Sequence, residues 1–270
     1  MKAVVLDKLN RGVELARLLG IKSVSRVKDV PEDVGVVIRY GNREKLNRDG
    51  VIEINNWHAL QITKDRRKLH RVLKENGVRN PYFEKLRWWT RFPVYVYDKR
   101  GSECGKGIVL VTSRSDIAEL RRHGFEPAIF SKVLRVKHEY RVHVCRYSIG
   151  RNGFATLPYL KVPRKVRHDM FVLRNLAITN YAFSKVENVK DEYGITDNEV
   201  SKVCDIAIRA VRACGLDFAG VDVIVDEKGK VWVIDVNSSP GIVKDGSKRF
   251  YAKNLGKLLA ELGVELGAHK

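Results

Sequence analysis

The sequence predicts an α/β lobe leading into a mixed α+β region, and three observations carry that prediction. Short apolar strands alternate with helical spacing over the first 60 residues, the pattern of a largely parallel sheet. The middle of the chain offers strand-like pairs around polar turns. The C-terminal third holds an amphipathic helix followed by a tight apolar hairpin.

Taken in order, residues 3–6, 35–39 and 51–54 read as buried strands, and 11–19 as a helix. Residues 64–77 read as one basic helix ending at Gly77, a residue suited to the left-handed position past a helix end. Residues 92–97 and 107–112 are strand-like and flank the glycine-containing stretch 101–107. A short helix over 115–123 precedes strands at 128–133 and 139–145. Residues 150–195 show no clear pattern and are strongly basic around 161–167. A helix over 198–214 is ended by Gly215. Strands at 220–225 and 231–236 share the turn 226–230, and a helix near 250–262 closes the chain. No internal repeat and no Pro/Gly/Ser-rich linker interrupts this order.

Composition bounds the function. The 270 residues carry 51 Lys+Arg against 32 Asp+Glu, a formal net charge of +19, and a field of that size draws polyanions: nucleic acid, an acidic peptide or a phosphorylated small molecule. No apolar run approaches the roughly 20 residues that span a bilayer, so no membrane partner is expected. The four cysteines are scattered without a Cys-x-x-Cys pair, which points to free thiols in a cytoplasmic setting and away from structural zinc.

The hairpin at 220–241 is the strongest chemical feature. Two apolar strands in a tight turn are buried, and buried carboxylates are costly unless paired, hydrogen-bonded or bound to a cation. Asp222 falls opposite 234–235 to within one residue of register. Asp235 and Asn237, two apart, share a face. Three hard oxygen donors at one end of a sheet suit Mg²⁺, which takes one or two carboxylates and completes its shell with waters and phosphates. The alternative is that Asp235 and Asn237 cap the turn into Pro240-Gly241.

Three weaker features accompany it. Glycines in the loop Gly101-Ser102-Glu103-Cys104-Gly105-Lys106-Gly107 let backbone N–H groups approach phosphate, although the loop enters a strand and is no Walker-A motif. On the strand at 139–145, Glu139, Arg141 and His143 share a polar face that suits a cleft wall or a solvated edge. Basic runs at Lys64, Arg66, Arg67, Lys68, His70, Arg71 and at Lys161, Arg164, Lys165, Arg167, His168 are solvated faces or anion contacts.

In this order the features resemble the ATP-grasp superfamily, its carboxylate–amine ligases above all, and the small phage and bacterial ATP-grasp proteins with Glu-Tyr-Arg-Val-His-Val. The stretch Gly215-Leu216-Asp217-Phe218-Ala219-Gly220-Val221-Asp222-Val223, followed by Asp235-Val236-Asn237-Ser238-Ser239-Pro240-Gly241, carries most of the likeness. The resemblance implies the ATP-grasp fold, two α+β lobes closing on ATP. A small α/β lobe at 1–60 would precede the ATP-grasp domain at 61–270, itself split into 61–133 and 134–270.

By that resemblance Lys64 is the first nucleotide-contacting lysine, and Gly101, Ser102, Gly105, Lys106 and Gly107 cover the phosphates. Lys132, Val133 and Leu134 form the hinge beside adenine, and Glu139 lies near the ribose. Asp222, Asp235 and Asn237 hold two Mg²⁺ or Mn²⁺ ions. Arg141, Arg174 and Asn180 face the γ-phosphate and the acyl-phosphate. Two departures stand out: Tyr97 occupies the usual position of a Lys or Arg, for which Lys99 or Lys106 would substitute, and Asp235 shortens the usual Glu.

The implied reaction joins a carboxylate to an amine through an acyl-phosphate, with ATP converted to ADP and phosphate. An ATP-grasp kinase of a small molecule and a nucleic-acid-binding protein without catalysis are the competing readings.

Overall fold

Three sheets organise the chain in the computed structural model, which describes residues 1–7, 12–99, 107–150, 153–163, 181–242 and 245–266. The first is parallel, in the order β2-β1-β3-β4, from β1 (Lys2–Asp7), β2 (Lys22–Val24), β3 (Val34–Tyr40) and β4 (Ile52–Ile54), with helix α1 (Val13–Leu19) crossing between β1 and β2. The second is antiparallel, β5-β8-β6-β7, from β5 (Tyr82–Phe83), β6 (Val94–Asp98), β7 (Ile108–Val111) and β8 (Pro127–Lys132); helix α4 (Arg114–Arg122) packs on it through Ile117. The third, also antiparallel, runs β11-β10-β9-β12-β13. Its strands are β9 (Val136–Arg146), β10 (Phe154–Pro163), β11 (Tyr181–Lys185), β12 (Phe218–Asp226) and β13 (Val231–Asn237).

The unassigned stretch 150–195 therefore supplies β10 and β11. Its polar and aromatic residues obscure the period-2 alternation from which a strand is read.

Alternation on the third sheet separates two environments. Tyr140, Val142, Val144, Val221, Val223 and Val233 point to one face, under helices α2 (Trp57–Lys64), α3 (Arg66–Glu75) and α5 (Asp197–Ala213). At the end of the opposite face, Cys145 and Phe218 pack on helix α6 (Asp245–Glu261), whose Tyr251, Leu255 and Leu258 join α1 and the first sheet in one core. Each large apolar side chain buried this way contributes roughly 1.5–3 kcal/mol. The middle of that face carries charged side chains.

Two expectations about helices are corrected. The single basic helix over 64–77 is two helices, because Asp65 adopts an extended backbone (φ −104°, ψ 110°). Its carboxylate caps α3 by accepting from the N–H groups of Arg67 (2.9 Å) and Lys68 (3.3 Å). Gly77, at φ +67°, follows the end of α3 as expected. The last helix starts five residues earlier than position 250, at Asp245.

Asn55 fastens the first sheet to the third. It sits in the left-handed region at φ 57°, directly after β4. Its side-chain oxygen accepts from the N–H groups of Asp217 (2.7 Å) and Phe218 (3.0 Å), and its amide donates to the Phe218 carbonyl (2.9 Å). Tyr40 adds a hydroxyl bond to the Pro240 carbonyl. Asn55→Ala, which strands buried backbone groups and keeps a strained φ, is expected to cost about 2–4 kcal/mol. Asn55→Gly should recover only the backbone share, about 1 kcal/mol. Urea unfolding measures both, and an unchanged midpoint for the alanine variant contradicts the assignment.

Candidate functional site

Register across the central strands sets out the charged face. Arg141 on β9 pairs with Asp222 on β12, and Asp222 pairs with Asp235 on β13, so three ionisable side chains form one row. His143, Gly220 and Asn237 form the row on one side; Glu139, Ile224 and Trp232 form the row on the other. A bulge makes this possible. Asp222 opposes Asp235 but Val223 opposes Val233, leaving Ile234 as an extra residue. Without it, Val233 and Asp235 would share a face; with it, Val233 enters the core and Asp235 joins the acids. The Tyr82 hydroxyl donates to the carbonyl of Ile234 (2.6 Å), tying the second sheet to the bulge.

Two carboxylates facing each other need cations, and two arginines come in from different elements. Arg141 binds Asp222 through two nitrogens, Nε and Nη2 (the latter at 2.9 Å from Oδ2), in a half-buried fork. Gly220 leaves room for it: a Cβ there would lie 3.2 Å from the Arg141 Cδ and 3.0 Å from the Pro240 Cβ. Arg66, first residue of α3, stacks over the rings of Tyr97 (4.9 Å) and Tyr82 (5.4 Å), donates to the Tyr82 hydroxyl (2.5 Å), and lies close enough to Asp235 to stabilise its charge. Glu139 is paired with Lys161 of β10 at 2.6 Å.

Desolvation dominates the acids. It raises Asp235 above the ordinary aspartate value, and neighbouring Asp222 adds to the rise while Arg66 and Arg141 oppose it. Burial likewise raises Glu139, against the pull of Lys161. Asp222 holds Arg141 firmly protonated. Behind the row, His143 is pushed down to about 3 by burial and by Arg141; its Nδ1 meets the Tyr251 hydroxyl at 2.9 Å, so it stays neutral at working pH.

The expected site residues divide into three groups. Arg141, Glu139, Asp222, Asp235 and Asn237 come together on one face. Lys132 ends β8 with its ammonium 5.8 Å from the Trp232 ring, and Val133 and Leu134 follow it in the link to β9. Lys64 is exposed at the end of α2, next to Asp65 and Arg66, and the exposed Lys99 pairs with Glu126 at 3.3 Å. Gly107 closes the β6–β7 turn, its carbonyl accepting from the N–H of Asp98 (2.8 Å). Gly101, Ser102, Gly105, Lys106, Arg174 and Asn180 lie outside the described residues.

Arg66 and Lys161 belong to the basic runs expected as solvated faces or anion contacts, and both sit beside carboxylates of this face. α3 opens with Arg66, Arg67 and Lys68, a charge sign that a helix N-terminus disfavours and that the Asp65 cap offsets.

For a divalent cation the donor chemistry fits, with a condition. Among the described residues no group of three or more His, Cys, Asp or Glu is disposed to hold a metal. Asp222 is engaged by Arg141, and the Asn237 oxygen also accepts from the N–H of Ser239 (2.9 Å), the capping role open from sequence. Asp235 and Asn237 therefore suit an ion that brings most of its oxygens as phosphate and water.

Comparison with known proteins agrees with this architecture. A family model described as RimK-like ATP-grasp domain matches residues 185–261. N5-carboxyaminoimidazole synthetase from Staphylococcus aureus, solved with ADP, superposes with a TM-score of 0.69 at 15% identity, over 98% of this chain and 78% of that one. The chain has the ATP-grasp fold. Among curated ATP-grasp relatives, the D-alanine–D-alanine ligase of Aquifex aeolicus (strain VF5) is 25% identical over 208 residues, 73% of this chain and 65% of the ligase. A probable alpha-L-glutamate ligase of Parasynechococcus marenigrum (strain WH8102) is 43% identical over 63 residues, 23% of this chain and 13% of the relative. The chain thus spans just under two thirds of the first relative and a small part of the second. No described helix is long and apolar enough to cross a membrane.

Because its surroundings disfavour the charged form, Asp235 titrates above its unfolded value, and stability is lost as pH rises through the unfolded and then the folded value. Asp235→Asn is therefore expected to raise the melting temperature of the nucleotide-free protein at pH 7, by about 2 °C if worth about 1 kcal/mol. A lowered melting temperature would show that the arginines outweigh desolvation.

Proposed function

We propose that the protein is an ATP-dependent ligase that joins a carboxylate to an amine through an acyl-phosphate, converting ATP to ADP and phosphate. The observation that carries this is the Arg66–Asp235–Asp222–Arg141 cluster, two acids and two guanidinium groups meeting on the open face of the third sheet of an ATP-grasp fold. The ligases among its relatives support the reaction class. The net charge of +19 supports an acidic substrate.

In this reading the base of ATP lies against Ile224 and Trp232, beside Lys132, Val133 and Leu134. The phosphates extend over the Arg141–Asp222–Asp235 row towards the first turn of α3. Arg66, held against the Tyr82 and Tyr97 rings, supplies the cation where Tyr97 stands in place of a basic residue. A substrate carboxylate oxygen attacks the γ-phosphorus as the bond to the β-phosphate oxygen breaks. Arg141 and Arg66 stabilise the charge spread over the transferring group. The amine nitrogen then attacks the acyl carbon and phosphate leaves. Asp235 and Asn237, with Asp222 in support, would hold Mg²⁺, which neutralises charge on the polyphosphate. Glu139, poised by Lys161, is placed for the ribose.

The test is a screen of ADP and inorganic phosphate release against pairs of acids and amines, acidic peptides included. A ligase releases both in equal amounts only when both substrates are present. A kinase releases ADP with phosphate retained on the product, which would overturn the proposal. Arg66→Met is expected to lower kcat/KM for ATP by about 10²–10³-fold, the scale for losing one preorganised charge donor. Arg66→Lys should recover part of it, since the charge remains but the stacked plane does not.

A further inference from the structure

The loop between β5 and β6 carries a feature that neither folding nor the ATP site uses. Trp88 is 86% exposed and Trp89 is 56% exposed, side by side at the tip of the second sheet. Isolated surface aromatics are ordinary; two adjacent ones held in a fixed geometry are not. The Thr90 N–H donates to the Arg87 carbonyl (2.9 Å) and the Arg87 N–H donates to the Thr90 hydroxyl (2.8 Å), closing a turn whose two central residues are the tryptophans. Arg114 of α4 adds a bond to the same Arg87 carbonyl. The rings meet edge to face with centroids 5.3 Å apart, and the Arg87 guanidinium covers one of them, 5.2 Å from the Trp89 centroid. The aromatic platform is preformed.

Its surroundings are cationic. The stretch Lys85-Leu86-Arg87-Trp88-Trp89-Thr90-Arg91-Phe92 holds three basic residues and no acid, and Arg114 makes a fourth; all four are exposed. Leu86 and Phe92 turn inward onto the cluster of Val94, Val96, Val111 and Phe130. The tip therefore offers two indoles and no aliphatic side chain to insert among lipid tails. Flat rings interleaved with cations match a chain in which flat bases alternate with phosphates.

We propose that Trp88 and Trp89, flanked by Lys85, Arg87, Arg91 and Arg114, form a docking site for single-stranded nucleic acid, the bases stacking on the indoles and the phosphates meeting the cations. The inference does not depend on the ligase reading, and each can fail without the other.

The experiment titrates the full-length chain into fluorescently labelled oligo(U) and oligo(dT), read by anisotropy. Duplex DNA and phosphatidylglycerol vesicles serve as parallel arms. Binding to single strands is expected, with log K falling against log salt at a slope of about −3, from four cation–phosphate contacts. Both sugars should bind, since stacking does not read the 2′-hydroxyl; preference for one identifies the natural strand. The double variant Trp88→Ala/Trp89→Ala should bind at least roughly tenfold more weakly, with an unchanged melting temperature. Trp88→Phe/Trp89→Phe should stay within about threefold of the parent, because a stacking plane remains. Absent oligonucleotide binding, unchanged affinity in the double alanine variant, or tighter binding to vesicles than to single strands would each overturn the proposal.

Discussion

Asp222 and Asp235 face each other across adjacent strands of a largely buried sheet, and much of the structure around them answers that one constraint. Two unit charges about 5 Å apart repel by roughly 3 kcal/mol at an effective dielectric of about 20, before any desolvation is counted. The protein offsets this with cations from opposite directions: Arg141 from the neighbouring strand, and Arg66 from a helix that begins only because Asp65 caps it. The Ile234 bulge, the glycine beneath Arg141 and the Tyr82 hydroxyl bond to the bulge carbonyl are all local consequences of keeping these four groups in register.

The same constraint explains how the three sheets cooperate. Asn55 and Tyr40 lock the first sheet onto the start of β12 and onto the Pro240 turn, so the acids stand on a rigid base. The second sheet reaches them through Tyr82 and Tyr97, an edge-to-face pair of rings on which Arg66 rests. The family match at residues 185–261 covers α5, β12, β13 and α6, the part that carries both aspartates. Both arginines come from outside it.

Much of this was legible in the sequence, for physical reasons. The hairpin at 220–241 announced itself because acids in an apolar strand demand an explanation, and its register was readable because the turn is short. The parallel first sheet followed from apolar runs alternating with helical spacing. What failed to show was anything set by tertiary contact. Arg66 was hidden in a run of like charges, where only the N-cap at Asp65 distinguishes it from its neighbours. The bulge at Ile234 leaves no mark in composition. Asn237 was read both as a metal donor and as a turn cap, and its bond from the Ser239 N–H makes the second real without removing the first. Lys99 follows the end of β6 and pairs with Glu126, a contact that spacing along the chain does not reveal.

Because Asp222 is already engaged by Arg141 and burial disfavours the charge of Asp235, the cation must arrive with the nucleotide. Electron paramagnetic resonance of Mn²⁺ titrated into the protein, with and without a non-hydrolysable ATP analogue, tests that claim directly. The account predicts weak Mn²⁺ binding to the nucleotide-free protein and tight binding once the analogue is present. Tight binding of Mn²⁺ without nucleotide would contradict it.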